Sequence, residues 1–302
     1  MPHIYAVANQ KGGVGKTTTS VNLAVFLAAA GQRVLLLDLD PQANASSSLG
    51  VNRDKIEASS YEVLLGQATA GRATLHNRKL NLSLIPAAPG LAAAEIELVG
   101  EMAREYRLKN ALVPELPKYD YVLIDCPPSL GLLTVNAFTA AANGVLIPVQ
   151  CEYLALEGLG QLSRTVQLVK QRLNPDMDIA GLMLTMYDSR TALAQQVAGE
   201  VEKFFGAKVF RTRVPRNVRL SEAPSYGQPI LTYSPASPGA VAYRALAQEL
   251  LVRNARVVTS TDVALVPEKL DEDEPPPAAM LAAAAAAADF DGADDIENGG
   301  WK

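Results

Sequence analysis

An open, twisted and mostly parallel α/β sheet with helices on both faces is the fold class the sequence predicts, and three observations carry it. Short, nearly continuous apolar runs alternate with longer segments whose apolar residues recur at helical spacing, as doubly buried strands and crossover helices require. A glycine-rich stretch, Gly12 to Gly15, separates the first apolar run from the first helical segment. Two later runs, Arg33–Leu39 and Tyr119–Asp125, carry aspartates at their carboxyl ends, Asp38 and Asp40 about the end of the first and Asp125 closing the second. In sheets of this class, ligands bind beyond the carboxyl ends of the strands.

The chain has 302 residues and is 49% hydrophobic, enough to bury a substantial core. His3–Ala8 reads as the first buried strand, and Thr17–Ala30 as an amphipathic helix with Val21, Ala24, Val25, Leu27 and Ala28 on its apolar side. The turn between them, Asn9-Gln10-Lys11-Gly12-Gly13-Val14-Gly15-Lys16-Thr17-Thr18-Thr19, reads as a phosphate cradle. Glycines let successive backbone N–H groups converge on an anion, and the positive end of the following helix adds to the attraction. Gly12, Gly13, Val14, Gly15, Lys16, Thr17 and Thr18 form this site; Lys16 is placed to reach terminal phosphates and the Thr17 hydroxyl to ligate Mg²⁺. The strict G-x-x-x-x-G-K-[ST] pattern fails at its first position, which is Gln10, and a second lysine, Lys11, opens the loop instead. A glycine turn with incidental lysines is disfavoured by the number of matching positions in a strand-to-helix setting.

Arg33–Leu39 is the next strand, and it delivers Asp38 and Asp40 to its carboxyl end; capping of the following turn is the plainer role open to both. Asn44–Ser48, all small residues, reads as a loop. Between residues 53 and 118, Tyr61–Leu65 and Leu91–Leu116 show helical patches and Leu80–Pro86 alternates like a strand, without evident chemistry. Tyr119–Asp125 is a strand ending in Asp125 and followed by Cys126-Pro127-Pro128-Ser129. Gly144–Val149 and Ile179–Met186 complete the strands. Glu157–Leu173, with Leu159, Leu162, Val166 and Val169, and Leu193–Phe205 read as packing helices. Cys126 and Cys151 form no C-x-x-C pair or disulfide framework and read as small buried apolar residues.

The net charge of −5 averages two unlike regions. Residues 267–302 hold ten Asp or Glu against two Lys, a net −8, which leaves +3 on residues 1–266. The boundary is expected near residue 255, with residues 1–255 forming the folded domain. Residues 256–302 are expected to be a disordered linker and tail, carrying three consecutive prolines and seven consecutive alanines. Solubilisation is the plain role of such a tail, and competition with phosphates for a basic face of the body is the sharper one. No leader pattern and no apolar run of membrane-spanning length is evident, so a cytoplasmic location is expected. Four arginines, Arg211, Arg213, Arg216 and Arg219, fall within nine residues, a composition suited to bidentate phosphate contacts as well as to a plain solvated loop.

The segment Lys11-Gly12-Gly13-Val14-Gly15-Lys16-Thr17 resembles the deviant Walker A motif of the ParA/MinD class of P-loop ATPases. Asp38-Leu39-Asp40-Pro41-Gln42 resembles the D-x-D-P-Q switch segment of ParA proteins, and Asp125 with the residues after it resembles a Walker B aspartate and switch II. The segments 187–191 and 211–224 resemble chromosomal, Soj-like ParA proteins, and the likeness runs from about residue 3 to residue 253.

The resemblance implies ATP and Mg²⁺ as nucleotide and metal, with weak intrinsic hydrolysis. Lys11 would cross a dimer interface to the partner's nucleotide, Lys16 would hold the phosphates, and Asp40 would position the attacking water. Asp125 and Asp40 would belong to the Mg²⁺ shell or act through a water, Asp38 would be a structural or Mg²⁺-shell group, and Pro215 and Asn217 would line the adenine pocket. It further implies an ATP-dependent homodimer that binds double-stranded DNA non-specifically through Arg190, Arg219 and Arg216, a ParB-like activator, nucleoid association, and no membrane. A MinD-like membrane-associated ATPase is the alternative; relatives of that kind end in a basic amphipathic helix, whereas this C-terminus is acidic. An iron–sulfur reductase sharing the loop would need cluster-ligating cysteines at a dimer axis, which Cys126 and Cys151 do not supply.

Overall fold

A computed structural model of the protein describes residues 1–152 and 155–259, with positions 53, 155–157 and 256–259 described in backbone only. Seven strands form one sheet: β1 (His3–Val7), β2 (Val34–Asp38), β3 (Leu75–Asn77), β4 (Leu82–Ile85), β5 (Tyr121–Asp125), β6 (Val145–Gln150) and β7 (Ile179–Thr185). The first helices are α1 (Lys16–Ala29), α2 (Asn44–Ser48), α3 (Ser60–Leu65), α4 (Ala70–Ala73), α5 (Leu91–Glu97) and α6 (Arg107–Leu112). They are followed by α7 (Leu132–Ala140), α8 (Ala155–Arg172), α9 (Ala192–Phe205), α10 (Val218–Glu222), α11 (Ile230–Tyr233) and α12 (Pro238–Thr259).

The strand order is β3-β4-β2-β5-β1-β6-β7, parallel throughout except for β3, which runs antiparallel to β4 at the edge. The period-2 alternation of strand side chains sorts each strand between two cores. Ile4, Ala6, Leu35, Leu37, Val122 and Ile124 pack on the face covered by α3 to α9. Tyr5, Val7, Leu36, Leu123 and Met183 pack on the opposite face against α1, α11 and α12. On α8, Leu159, Leu162, Val166 and Val169 are all buried, as their spacing predicts.

Register sets the site. Val7 pairs with Asp125, and Asp125 pairs with Asp38, so β1, β5 and β2 end level with one another. The loops that follow them therefore open on one edge of the sheet.

Three local expectations change. Asn44–Ser48 is a short helix rather than a loop, because the Asp38 carboxylate accepts hydrogen bonds from the Ser46 N–H and O–H at 2.8 and 2.7 Å. The Ser47 and Ser48 hydroxyls bond back to the carbonyls of Ala43 and Asn44, so these serines support the turn instead of breaking it. The strand expected from Leu80 starts at Leu82, since Asn81 adopts a left-handed φ of 49° and the Asn77 side chain accepts the Leu80 N–H in a turn. That turn creates β3, a three-residue edge strand too short and too polar to show periodicity. The segment Leu91–Leu116 divides into α5 and α6, with Ala103 left-handed between them. Helix α12 runs past residue 255 to Thr259; the acidic, alanine-rich stretch expected to be disordered lies outside the described residues.

Candidate functional site

The loop after β1 is shaped by two left-handed glycines, Gly13 at φ 74° and Gly15 at φ 86°, a conformation costly for residues with a side chain. A Cβ at Gly12 or Gly13 would meet no atom within 4 Å, so the space in front of the loop is open. Behind it, Val14 is buried and its carbonyl accepts the Thr185 hydroxyl at 2.8 Å. Asn9 donates to the Pro148 carbonyl at 2.7 Å and accepts the Lys11 N–H at 3.1 Å. The ends of β6 and β7 thus hold the loop. Helix α1 starts directly at Lys16, with no capping side chain and no acidic residue in its first turn. Its first N–H groups are therefore available to an anion.

Lys16 is buried, and its Nζ donates to the Lys11 carbonyl at 3.1 Å across the loop. Burial lowers its pKa, an effect opposed by the nearby Asp125 and Asp40 carboxylates. The Asp125 oxygens accept the Thr17 hydroxyl at 2.8 Å and the Ser20 hydroxyl at 2.7 Å. Burial, and next the charge of Asp38, push the Asp125 carboxyl up to about 7. Asp38 is fully buried, and burial raises it to about 6 against its hydrogen bonds from Ser46 and Asp40. Asp40 is buried too, with its Oδ1 accepting the Gln42 N–H at 2.9 Å.

Lys16 is the buried cation of this pocket, with Asp125 and Asp40 as its nearby carboxyl groups. Hard oxygen donors, Thr17 Oγ1 and the carboxylates of Asp125 and Asp40, fit Mg²⁺, which takes one or two carboxylates together with substrate phosphates and waters. No group of three or more His, Cys, Asp or Glu able to cage a metal occurs among the described residues.

Lys11 points along the edge of the site, its Nζ 3.1 Å from Glu152 Oε2 of its own chain. Arg216 approaches the other oxygen of Glu152 at 3.9 Å, which brings the 215–217 segment beside the phosphate loop. Pro215 pairs in a bridge with Tyr187 after β7, and Asn217 caps α10 by accepting the Arg219 N–H at 2.9 Å. Arg190 grips Asp188 through two nitrogens at 2.9 and 2.8 Å, while Arg219 pairs with Glu222 at 2.8 Å. Hydrogen bonds from Arg190 push Asp188 down to about 2, and the charge of Arg216 adds to the effect, so both arginines lie near it. The side chains of Arg190, Arg216 and Arg219 are 87%, 67% and 58% exposed, enough for a large ligand to reach them. Arg213 differs from its neighbours. It lies over the Tyr187 ring at 4.6 Å and pairs with Glu202 at 2.7 Å, and so serves the fold.

The structure therefore gathers Gly12 to Thr18, Asp40 and Asp125 around one opening, with Lys11 at its rim. Arg216 is tied to this rim through Glu152 and lies with Arg190 near Asp188, while Arg219 stands exposed on α10 and pairs with Glu222. Sequence reasoning missed Ser20, Ser46, Glu152 and Thr185, and gave Asn9 a place in the cradle without a role of its own. Ser20 was findable, since it stands three and four residues after Thr17 and Lys16 on one helix face. Ser46, Glu152 and Thr185 act through tertiary contacts with no local signal.

Fold and loop together define a P-loop ATPase with the deviant, two-lysine phosphate loop. The chain matches the AAA domain family over residues 2–179. It is 54% identical over 252 residues to chromosome partitioning protein ParA of Myxococcus xanthus, covering 83% of this chain and 88% of that protein. It is 56% identical over 250 residues to sporulation initiation inhibitor protein Soj of Bacillus subtilis, covering 83% and 98%. Among solved structures, cobyrinic acid a,c-diamide synthase from Mycobacterium smegmatis with bound ADP and magnesium superposes with a TM-score of 0.74 at 42% identity, covering 84% of this chain and 96% of that one. The chain belongs to the ParA/Soj family of partitioning ATPases.

The third sequence reading, an iron–sulfur reductase, needs surface thiolates. Cys126 and Cys151 are both buried, and burial pushes the Cys126 thiol well above its ordinary range and that of Cys151 up to about 11. No helix among the described residues is long and apolar enough to cross a membrane.

Proposed function

We propose that this chain moves DNA by an ATP-driven dimerisation cycle. ATP and Mg²⁺ close two protomers into a sandwich, the dimer binds double-stranded DNA without sequence preference at the nucleoid, and hydrolysis, stimulated by a ParB-like partner, resets it. The observation that carries the reading is the open loop at an uncapped helix N-terminus, faced by a buried lysine and by carboxylates at the ends of adjacent strands. Phosphoryl transfer asks for little beyond such positioning and charge neutralisation.

In this reading the loop N–H groups and Lys16 would hold the β- and γ-phosphates, and the Thr17 hydroxyl, which donates to Asp125 at 2.8 Å, would be a direct oxygen donor to Mg²⁺. Bound Mg²⁺ would neutralise charge on the phosphates. Asp125 would hold the cation through its carboxylate or a water, and Asp40 would orient the attacking water. Pro215 and Asn217 line the adenine side. Lys11 leaves Glu152, a half-exposed ion pair of the kind worth about 0–1 kcal/mol, for the phosphates of the partner's nucleotide.

Arg190, Arg216 and Arg219 supply the DNA contacts, and dimerisation doubles them. If each protomer neutralises two or three phosphates, the salt slope of binding is roughly −4 to −5. Arg219→Ala removes one contact per protomer and is expected to flatten that slope by about 2 while ATP-driven dimerisation persists. DNA affinity measured across a salt series with a slowly hydrolysed ATP analogue checks this, and an unchanged slope removes Arg219 from the DNA surface.

A further inference from the structure

We infer that Ser46 is a positioning residue for ATP hydrolysis, fixing Asp40 through Asp38 from a helix that does not itself form the phosphate loop. Ser46 is fully buried, and its N–H and O–H both donate to one oxygen of Asp38, at 2.8 and 2.7 Å. The Ala87 N–H donates to the Ser46 Oγ at 3.1 Å, which leaves the hydroxyl proton directed at the carboxylate. The second Asp38 oxygen accepts the Asp40 N–H at 3.2 Å, and Asp40 Oδ1 is in turn fixed by the Gln42 N–H at 2.9 Å.

The result is one continuous relay: the exit of β4 holds Ser46, Ser46 holds Asp38, and Asp38 sets the backbone that carries Asp40. Both Asp38 oxygens are engaged in it, so Asp38 acts here as an anchor rather than as a group turned to substrate. Deleting the Ser46 hydroxyl leaves the buried Ala87 N–H without its acceptor and removes one of three donors to Asp38. The loop bearing Asp40 then loses its fixed geometry, and a misplacement of about 1 Å at a reacting group can cost up to about a hundredfold in rate.

The inference rests on Asp40 as the water-orienting group, so the test separates the two. Turnover is measured in the full chain for S46A, S46T, S46C, D40A and the S46A/D40A double variant, expressed per site titrated with a fluorescent ATP analogue. S46A is expected to lower kcat by about tenfold, with nucleotide affinity within about twofold of the unaltered chain. S46T, which keeps the hydroxyl, is expected to restore kcat to within about twofold, and the double variant to fall no lower than D40A alone. If S46A does not fold, S46C carries the comparison, being nearly the same size with only a weak S–H donor, and is expected to lie below S46T.

Unaltered kcat in S46A beside an inactive D40A overturns the Ser46 inference alone. A loss of nucleotide affinity equal to the loss of turnover, or equal impairment of S46T and S46A, also overturns it. Unaltered turnover in D40A overturns the reading of Asp40 itself.

Discussion

Lys16→Ala is expected to abolish turnover, by at least about a hundredfold, and to weaken nucleotide binding with it. Lys16 is buried, with its Nζ held across the loop to the Lys11 carbonyl and the carboxylates of Asp125 and Asp40 near it. Removing the ammonium leaves the Asp125 and Asp40 carboxylates facing an incoming polyphosphate with like charge and no fixed cation. Lys16→Arg is not expected to rescue, because a planar, delocalised guanidinium does not reproduce the compact point charge of an ammonium. Equilibrium binding of a fluorescent ATP analogue, read beside steady-state phosphate release, checks both effects. Near-normal turnover in K16A would mean that the cradle lies elsewhere.

Asp40→Ala is expected to separate binding from hydrolysis. Asp40 sits past the end of β2, beside the phosphate loop but outside it, and its carboxylate is oriented by the Gln42 N–H. Its loss leaves the loop, Lys16 and the Thr17–Asp125 pair intact, so ATP binds and dimers form. Turnover falls by about a hundredfold or more, the usual range for a group that handles the attacking water. Dimers then accumulate with ATP and persist after dilution, where the unaltered chain returns to monomer. Light scattering with a parallel phosphate-release assay reads both, and dimers that decay at the unaltered rate would take the water-positioning role from Asp40.

The strands and long helices were legible because burial on both faces writes continuous apolar runs, and one-face burial writes helical spacing. The phosphate loop was legible for a different reason: left-handed backbone at Gly13 and Gly15 and an uncapped helix start demand particular residues at particular offsets. Asp38, Asp40 and Asp125 could be placed at one edge because each follows a buried run. What could not be read was how they divide their work. Asp38 and Asp40 stand two residues apart in one motif, yet Asp38 is committed to Ser46 and the backbone of Asp40. That commitment depends on Ser46, eight residues away in a stretch whose composition favours a loop. The same limit applies to the arginines. Arg213 and Arg216 stand three residues apart, but Arg213 stacks on Tyr187 while Arg216 remains exposed beside Glu152. Local composition reports that guanidinium groups are clustered, and only tertiary partners decide which of them the fold consumes.

ATP, by joining two protomers, is proposed to turn on DNA binding. The most direct test is the affinity of the full chain for non-specific duplex DNA with no nucleotide, ADP, ATP and a slowly hydrolysed analogue, each at about 50 and 200 mM salt. Tight binding is expected only with ATP and the analogue, more persistent with the analogue and sharply weakened at the higher salt. Equal binding with ADP, or with no nucleotide at all, would contradict it.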